Sequence, residues 1–356
     1  MKKLSVCVLF GGMSPEHEVS LRSAEFVLNS LDKEKFNVFP VGITKNGDWV
    51  LYTGTDYSLI PTGEWQDYPD NRRAAISPVR GQGLLSFEGD CVVREWIDVV
   101  FPVLHGENGE DGAMQGLLQM AGIPFVGPRV AASAVAMDKT LTKLVVDQAG
   151  IRQAAWMLVR SKDVDTHPDG VLDRIEEKFQ YPVFVKPAGT GSSVGVSKAF
   201  DRDSLKEALL KAGTFDRKIL VEEFIHGREV EVAVMGNENP VASICGEIDS
   251  GAEFYDYDAK YLTDTSVAYI PARISDAVEE QVRDAAVRIY SAVGCQGLSR
   301  VDFFVTINGD EVVFNEINTI PGFTSISMFP KLFAASGIPA PQLIEELIHL
   351  ALEAAK

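Results

Sequence analysis

Two carboxylates stand on otherwise apolar stretches in the last third of the chain. Asp302 lies within SRVDFFV, and Glu316 lies within VVFNEINTIPG, two residues before Asn318. An acid on an apolar strand is costly unless it is paired or bound to a metal. Glu316 and Asn318, two apart, share one face of a strand. Hard oxygens from two strands suit Mg²⁺ holding the phosphates of a nucleotide. A solvated edge strand is the competing explanation, and Arg300 beside the set weighs against it. To share a cation, Asp302 and Glu316 must oppose each other across the hairpin. Asn308-Gly309 signals a two-residue turn, which would oppose Asp302 to Asn315 and send the two acids to opposite faces. The spacing therefore predicts either a three-residue turn, Asn308 to Asp310, or a one-residue bulge in one strand.

A second constellation is GTGSSVG, Gly189 to Gly195, three residues after Lys186. Small residues let backbone N–H groups approach an anion, Ser192 and Ser193 add donors, and the lysine adds a point charge. A hairpin turn that happens to follow a lysine is an equal reading of the same residues. The glycines of GGMSPEHE do not have G-x-G-x-x-G spacing, and G-x-x-x-x-G-K-[ST] is missing from the chain. Nicotinamide and P-loop chemistry lose their ground. HGENGEDGAMQG places Glu110 and Asp111 at the start of a helix, where acids complement the positive end. Capping and substrate contact are both open there, and His105 alone reads as a packed histidine. Glu16, in SPEHEVS, either caps a helix or meets a ligand at the carboxyl end of a strand.

The elements that must position these groups alternate. Residues 4–10 read as a buried strand, 18–31 as a helix, 38–43 and 49–52 as strands, and 53–95 as an insertion with short hairpins. A strand at 98–106 and a helix at 111–121 complete the first region. A helix over 129–150, a strand at 155–160, two strands within 181–198 and a helix at 203–212 follow. Three strands within 218–248 precede a long loop at 250–270. A helix at 275–293, the hairpin 298–318, the loop PGFTSISMF and a terminal helix at 341–355 end the chain.

The 356 residues allow two or three domains. A net charge of −18 repels phosphate backbones, which argues against nucleic-acid partners. The four cysteines, at 7, 91, 245 and 295, are too scattered for a disulfide scaffold or a zinc site. The N-terminus lacks a signal-peptide pattern, and no apolar run approaches the roughly 20 residues that span a bilayer. The expectation is a cytoplasmic enzyme with no membrane partner.

Six motifs, GGMSPEHEVS, HGENGEDGAMQG, KPAGTGSSVG, YDYDAKY, GLSRVDFFV and NEINTIPGFT, stand in the order found in D-alanine–D-alanine ligases, and the chain resembles that ATP-grasp family over its whole length. One small departure is Phe314, where the family usually has Leu or Ile. The resemblance implies an α/β fold: a Rossmann-like parallel-sheet domain (1–125) and two α+β domains (126–215 and 216–356) that sandwich ATP. It implies formation of D-alanyl-D-alanine for peptidoglycan through an acylphosphate, with ATP as co-substrate and two Mg²⁺, or Mn²⁺, on Asp302, Glu316 and Asn318. By the same resemblance Lys139, Lys186 and Ser193 contact phosphates, while Glu222 and Glu229 bind the adenine amine and ribose hydroxyls. Glu16 holds the first substrate's ammonium, with His105 nearby, and Ser192 and Tyr261 link Glu16 to a loop whose Lys260 nears the transferred phosphate. Arg300 and the Gly322 N–H contact the oxyanion, and Ser327 with the Met328 backbone holds the second substrate's carboxylate. A homodimer is the family's habit. YDYDAKY lacks the histidine usual in D-lactate ligases, which favours an amine nucleophile, and D-serine stays open because one hydroxyl changes pocket energetics modestly. A silent nucleotide-binding regulator on the same fold is the alternative from another class.

Overall fold

The computed structural model describes residues 3–249, 267–308 and 310–356. In β1 (Leu4–Gly11) residues Val6 to Phe10 are all fully buried, as a central strand requires. It pairs in parallel with β2 (Phe36–Ile43) on one side and β7 (Val99–Pro102) on the other. Beyond β2 the sheet becomes an antiparallel meander of β3 (Trp49–Leu51), β4 (Arg72–Ile76), β5 (Leu84–Glu88) and β6 (Cys91–Glu95). The expected parallel sheet is thus parallel only through β2-β1-β7, and the 53–95 segment extends it instead of interrupting it. Helix α1 (His17–Ser30) covers one face and α2 (Ala113–Ala121) the other.

A four-stranded sheet, β10-β9-β11-β8, comprises β8 (Trp156–Arg160), β9 (Val183–Pro187), β10 (Ser197–Ala199) and β11 (Lys218–Glu223). Its apolar face packs on α5 (Ser161–Thr166), α6 (Pro168–Lys178) and α7 (Arg202–Gly213). Sequence patterning missed α5 and α6; the available signal was Pro168 at the first position of α6, where a missing N–H costs nothing. The expected boundary at residue 215 separates β11 from this sheet. Yet β11 pairs with both β8 and β9, because apolar Ile219 and Val221 belong to that core.

The third sheet, β14-β13-β12-β15-β16, contains β12 (Gly227–Gly236), β13 (Val241–Asp249), β14 (Val267–Tyr269), β15 (Gly297–Thr306) and β16 (Val312–Asn318). Helices α3 (Val130–Met137), α4 (Lys139–Gln148) and α8 (Asp276–Val293) back it. The single helix expected over 129–150 breaks at Asp138, which leaves helical geometry and accepts from the Thr140 and Leu141 N–H groups at 3.0 and 3.3 Å. An aspartate competes with the backbone inside a helix and excels as its cap. Helix α9 (Met328–Ala335) occupies part of the expected loop, and α10 (Ala340–Ala354) ends the chain. Both pack back into the first domain's core, so the chain's last segment ties the first sheet to the third.

The hairpin settles the register question in favour of the bulge. Val305 opposes Val312, the register of a two-residue turn, but Asp302 opposes Glu316 and Arg300 opposes Asn318. Asn315 is the extra residue. It lets Phe314 and Ile317, three apart, both face the core while Glu316 and Asn318 face the other way with Asp302. Phe314 packs edge-on to Phe303 at 6.1 Å behind the acids.

Candidate active site

A cleft of about 1300 Å³ lies where the three sheets meet. The turn after β1 brings Glu16 to its floor as the N-cap residue of α1, and the carboxylate is 9% exposed. Ser192 donates its hydroxyl to Glu16 Oε1 across 176 residues of sequence, which closes the glycine-rich loop onto the first domain. Ser192 and Ser193 hold φ of +47° and +57°. That left-handed region costs L residues about 1–2 kcal/mol each, and the Glu16 contact offsets part of it.

On the nucleotide side, Glu222 is buried between two lysines: Lys143 Nζ lies 2.5 Å from Oε1 and Lys186 Nζ 2.7 Å from Oε2. Burial opposes the charge on Glu222, but the two ammonium groups overcome it and hold the carboxyl at about 2. Burial likewise disfavours the Lys186 ammonium, and Glu222, Glu316 and Glu229 more than compensate, so its pKa is raised. Lys139, in the first turn of α4, donates to the Thr190 carbonyl at 2.5 Å. The cap at Asp138 is what sets this lysine facing the loop.

Opposite stands the acid set. Arg300 donates from Nε to Asp302 at 2.8 Å and from Nη2 at 2.7 Å, and pairs with Glu231 at 3.1 Å. Despite burial, Asp302 and Glu231 push the guanidinium well above its ordinary pKa. Asn318 donates its amide to Asp302 at 3.0 Å, which leaves its carbonyl oxygen as the atom available to a cation. Glu316 lines the cleft, and its charge acts on both Lys186 and Arg300. Among the described residues no three His, Cys, Asp or Glu side chains converge as a preformed metal cage. Two carboxylates and an amide fit Mg²⁺, which is usually held by one or two carboxylates with phosphates and water completing the shell.

The loop 319–327 carries Gly322 and Ser327 and is pinned by Phe323. That ring is buried against Phe101 at 5.8 Å and Phe329 at 5.5 Å. Ser327 Oγ accepts from the Thr324 N–H at 3.0 Å, and the Met328 N–H opens α9, a helix terminus suited to a carboxylate. His105 Nδ1 donates to the Ile320 carbonyl and Nε2 accepts from Ser23, both at 3.0 Å. Burial lowers its pKa despite Glu16, so the ring is neutral with both nitrogens engaged. His105 shapes the wall through the loop.

Of the two roles open to Glu110, the helix cap is not the one it takes, and the residue lines the cleft. Gly112 is the N-cap of α2 and Asp111 accepts from Ala113 N–H at 2.9 Å in the turn before it, whereas Glu110 accepts from Gly106 N–H at 2.8 Å and Ile320 N–H at 3.3 Å. Burial, then the charge of Glu16, pushes its carboxyl up to about 8. A raised pKa means the folded state binds the proton more tightly, so this group's stabilisation is full below about 4.5 and is lost as pH rises through about 8. Glu110→Gln should remove that component. The difference in unfolding free energy between wild type and variant, measured from pH 4.5 to 8, should slope; a flat difference would remove the buried-acid reading.

Sequence patterning therefore missed Lys143, Glu231, Phe323 and the true role of Glu110. Glu231 had a signal, since Glu229 and Glu231 alternate with the core valines of β12. Lys260 and Tyr261 lie outside the described residues. The other expected site residues border the cleft, or, like Asp302, Ser193 and Glu229, stand on the elements that line it.

Known proteins share the sequence pattern and the fold along the whole chain. The family described as D-ala D-ala ligase N-terminus matches residues 5–128, and D-ala D-ala ligase C-terminus matches 145–349. The D-alanine–D-alanine ligase of Acetivibrio thermocellus is 51% identical over 99% of this chain and 96% of its own. That of Clostridium acetobutylicum is 47% identical over 99% and 98%. Among solved structures, the D-Ala:D-Ser ligase VanG from Enterococcus faecalis superposes with a TM-score of 0.90 at 38% identity, covering 98% of this chain and all of VanG. The D-alanine-D-alanine ligase from Coxiella burnetii gives 0.85 at 36% identity, covering 99% and 96%. With matches of this extent along both halves, the chain belongs to the D-alanine–D-alanine ligase family.

Proposed function

We propose that the protein joins two D-alanines in an ATP-dependent reaction, releasing ADP and phosphate. The observation that carries this reading is one cleft lined together by Glu16, a carboxylate suited to an ammonium, and by the cations Lys186 and Arg300. Glu16 fixes the first substrate by its amine, leaving its carboxylate to attack the γ-phosphate in line. ADP leaves and an acylphosphate forms. Lys139 and Lys186 stay paired with phosphate oxygens as charge moves. The second substrate is held by its carboxylate at Ser327 and the Met328 N–H. Its amine, neutral after giving one proton to water, attacks the acyl carbon; Arg300 with the Gly322 N–H stabilises the tetrahedral oxyanion, and the nitrogen's next proton leaves on the departing phosphate. Asp302, Glu316 and Asn318 would hold Mg²⁺, which neutralises phosphate charge when bound. Glu222 and Glu229 serve the adenosine end. A homodimer in the cytoplasm is the setting the resemblance implies.

The test is ATP-dependent phosphate release across D-alanine, D-serine, D-lactate and L-alanine, with the product identified by mass. D-Alanyl-D-alanine as the main product is expected. The high structural similarity to VanG favours D-serine as the one second reading, and a D-alanyl-D-serine product would select it. ATP binding without any ligation would point to a silent regulator.

Gly106 offers a sharper check on Glu16. Its φ is +74°, and a Cβ there would sit 2.4 Å from Glu16 Oε2. Gly106→Ala should push the carboxylate aside, raising KM for D-alanine at least about tenfold with ATP affinity retained. An unchanged D-alanine KM would separate Glu16 from the substrate.

A further inference from the structure

Lys143 has no role in the function proposed above, yet it is among the most buried charges in the protein, 2% exposed on α4. Sequence position explains none of this: it is the fourth residue after Lys139 on an otherwise amphipathic helix. Its ammonium meets one oxygen of Glu222 while Lys186 meets the other. Burying a long ammonium stem is justified only if the charge is needed there.

The arrangement is a chain of Lys143, Glu222 and Lys186, two cations about one anion. With Lys186 as the only partner, Glu222 would neutralise it. A nucleotide phosphate could then recruit Lys186 only by leaving a buried carboxylate alone, which is among the costliest events in a protein interior. With Lys143 in place, Glu222 remains paired when the Lys186 ammonium swings toward phosphate. The trio also keeps a net positive charge under the cleft, where the nucleotide brings negative charge.

We propose that Lys143 is a positioning residue for ATP: by holding Glu222 it releases Lys186 for the phosphates. This rests on the reading of Lys186 as a phosphate contact. Lys143→Met is the direct test, because Met fills the same unbranched space and Glu222 keeps Lys186 as its partner. KM for ATP should rise at least about tenfold, by a larger factor than any fall in kcat. Because Glu222 is also assigned to the adenosine end, Glu222→Gln is its own reference: with the competing carboxylate gone, adding Lys143→Met to it should change ATP KM by less than about threefold. A merely structural lysine would raise ATP KM by the same factor with and without Glu222→Gln.

Lys186→Met is the control. If it leaves ATP KM unchanged, the phosphate assignment of Lys186 fails and takes this inference with it. If Lys186→Met weakens ATP but Lys143→Met does not, or Lys143→Met raises ATP KM equally with and without Glu222→Gln, the inference alone falls. Failure of Lys143→Met to fold would mark Lys143 as a stability residue and would equally overturn it.

Discussion

Glu316→Gln should reduce turnover by at least about 10²–10³-fold, the scale seen when one preorganised charge-stabilising group is removed. The substitution conserves volume, so the hairpin and its bulge should persist, and the loss is one negative charge at the mouth of the acid set. Glu316 lines the cleft, and its charge acts on both Lys186 and Arg300. Asp302→Asn should lose turnover on the same scale and in addition about 1–3 kcal/mol of stability, since it removes the charge from two hydrogen bonds to Arg300. The measurement is a titration of turnover with Mg²⁺ alongside thermal unfolding. Near-normal turnover of either variant at limiting Mg²⁺ would end the shared-metal reading.

Arg300→Met should be the most disruptive single change in the cleft. The guanidinium pairs with Asp302 and Glu231, both 9% exposed or less. Removing it leaves two buried acids without their cation, a loss of about 3–5 kcal/mol. It also removes the oxyanion contact proposed for Arg300, so turnover should fall below detection. The acids that lose Arg300 become a better divalent-cation site, and Mg²⁺ should raise the melting temperature of Arg300→Met more than that of wild type. Arg300→Lys should recover much of the stability and little of the turnover, because an ammonium cannot reproduce the two parallel bonds to Asp302. Equal Mg²⁺ response in wild type and variant would show that the acids do not form a cation site. Full activity in Arg300→Lys would reduce Arg300 to a charge.

The chemistry-bearing residues were legible because each is anomalous where it stands. Asp302 and Glu316 interrupt apolar strands, the glycine-rich loop follows Lys186, and the six motifs fall in family order. Strand and helix positions followed from periodicity, since a residue's neighbours at two or at three and four positions decide its exposed face. The need for a three-residue turn or a bulge could also be counted from sequence, because the two-residue turn's register sends the two acids to opposite faces. Which of the two solutions the hairpin uses was decided by packing: Phe314 and Ile317 both find room against α8, and Asn315 is left over.

Other features depend on contacts between distant segments and have no local trace. Lys143 looks like an ordinary helix lysine until β11 brings Glu222 to it. Glu110 reads equally as a cap or a substrate contact until Ile320, 210 residues away, donates to it. The strand Lys218–Glu223 joins the middle sheet because its apolar face completes that core, and a linear boundary cannot see this. By itself the sequence determined the reacting groups and the elements that carry them, since those follow from residue type and short-range period. Only the tertiary structure decided which charges are buried together, because the cost of a buried charge is set by partners that the chain brings from elsewhere.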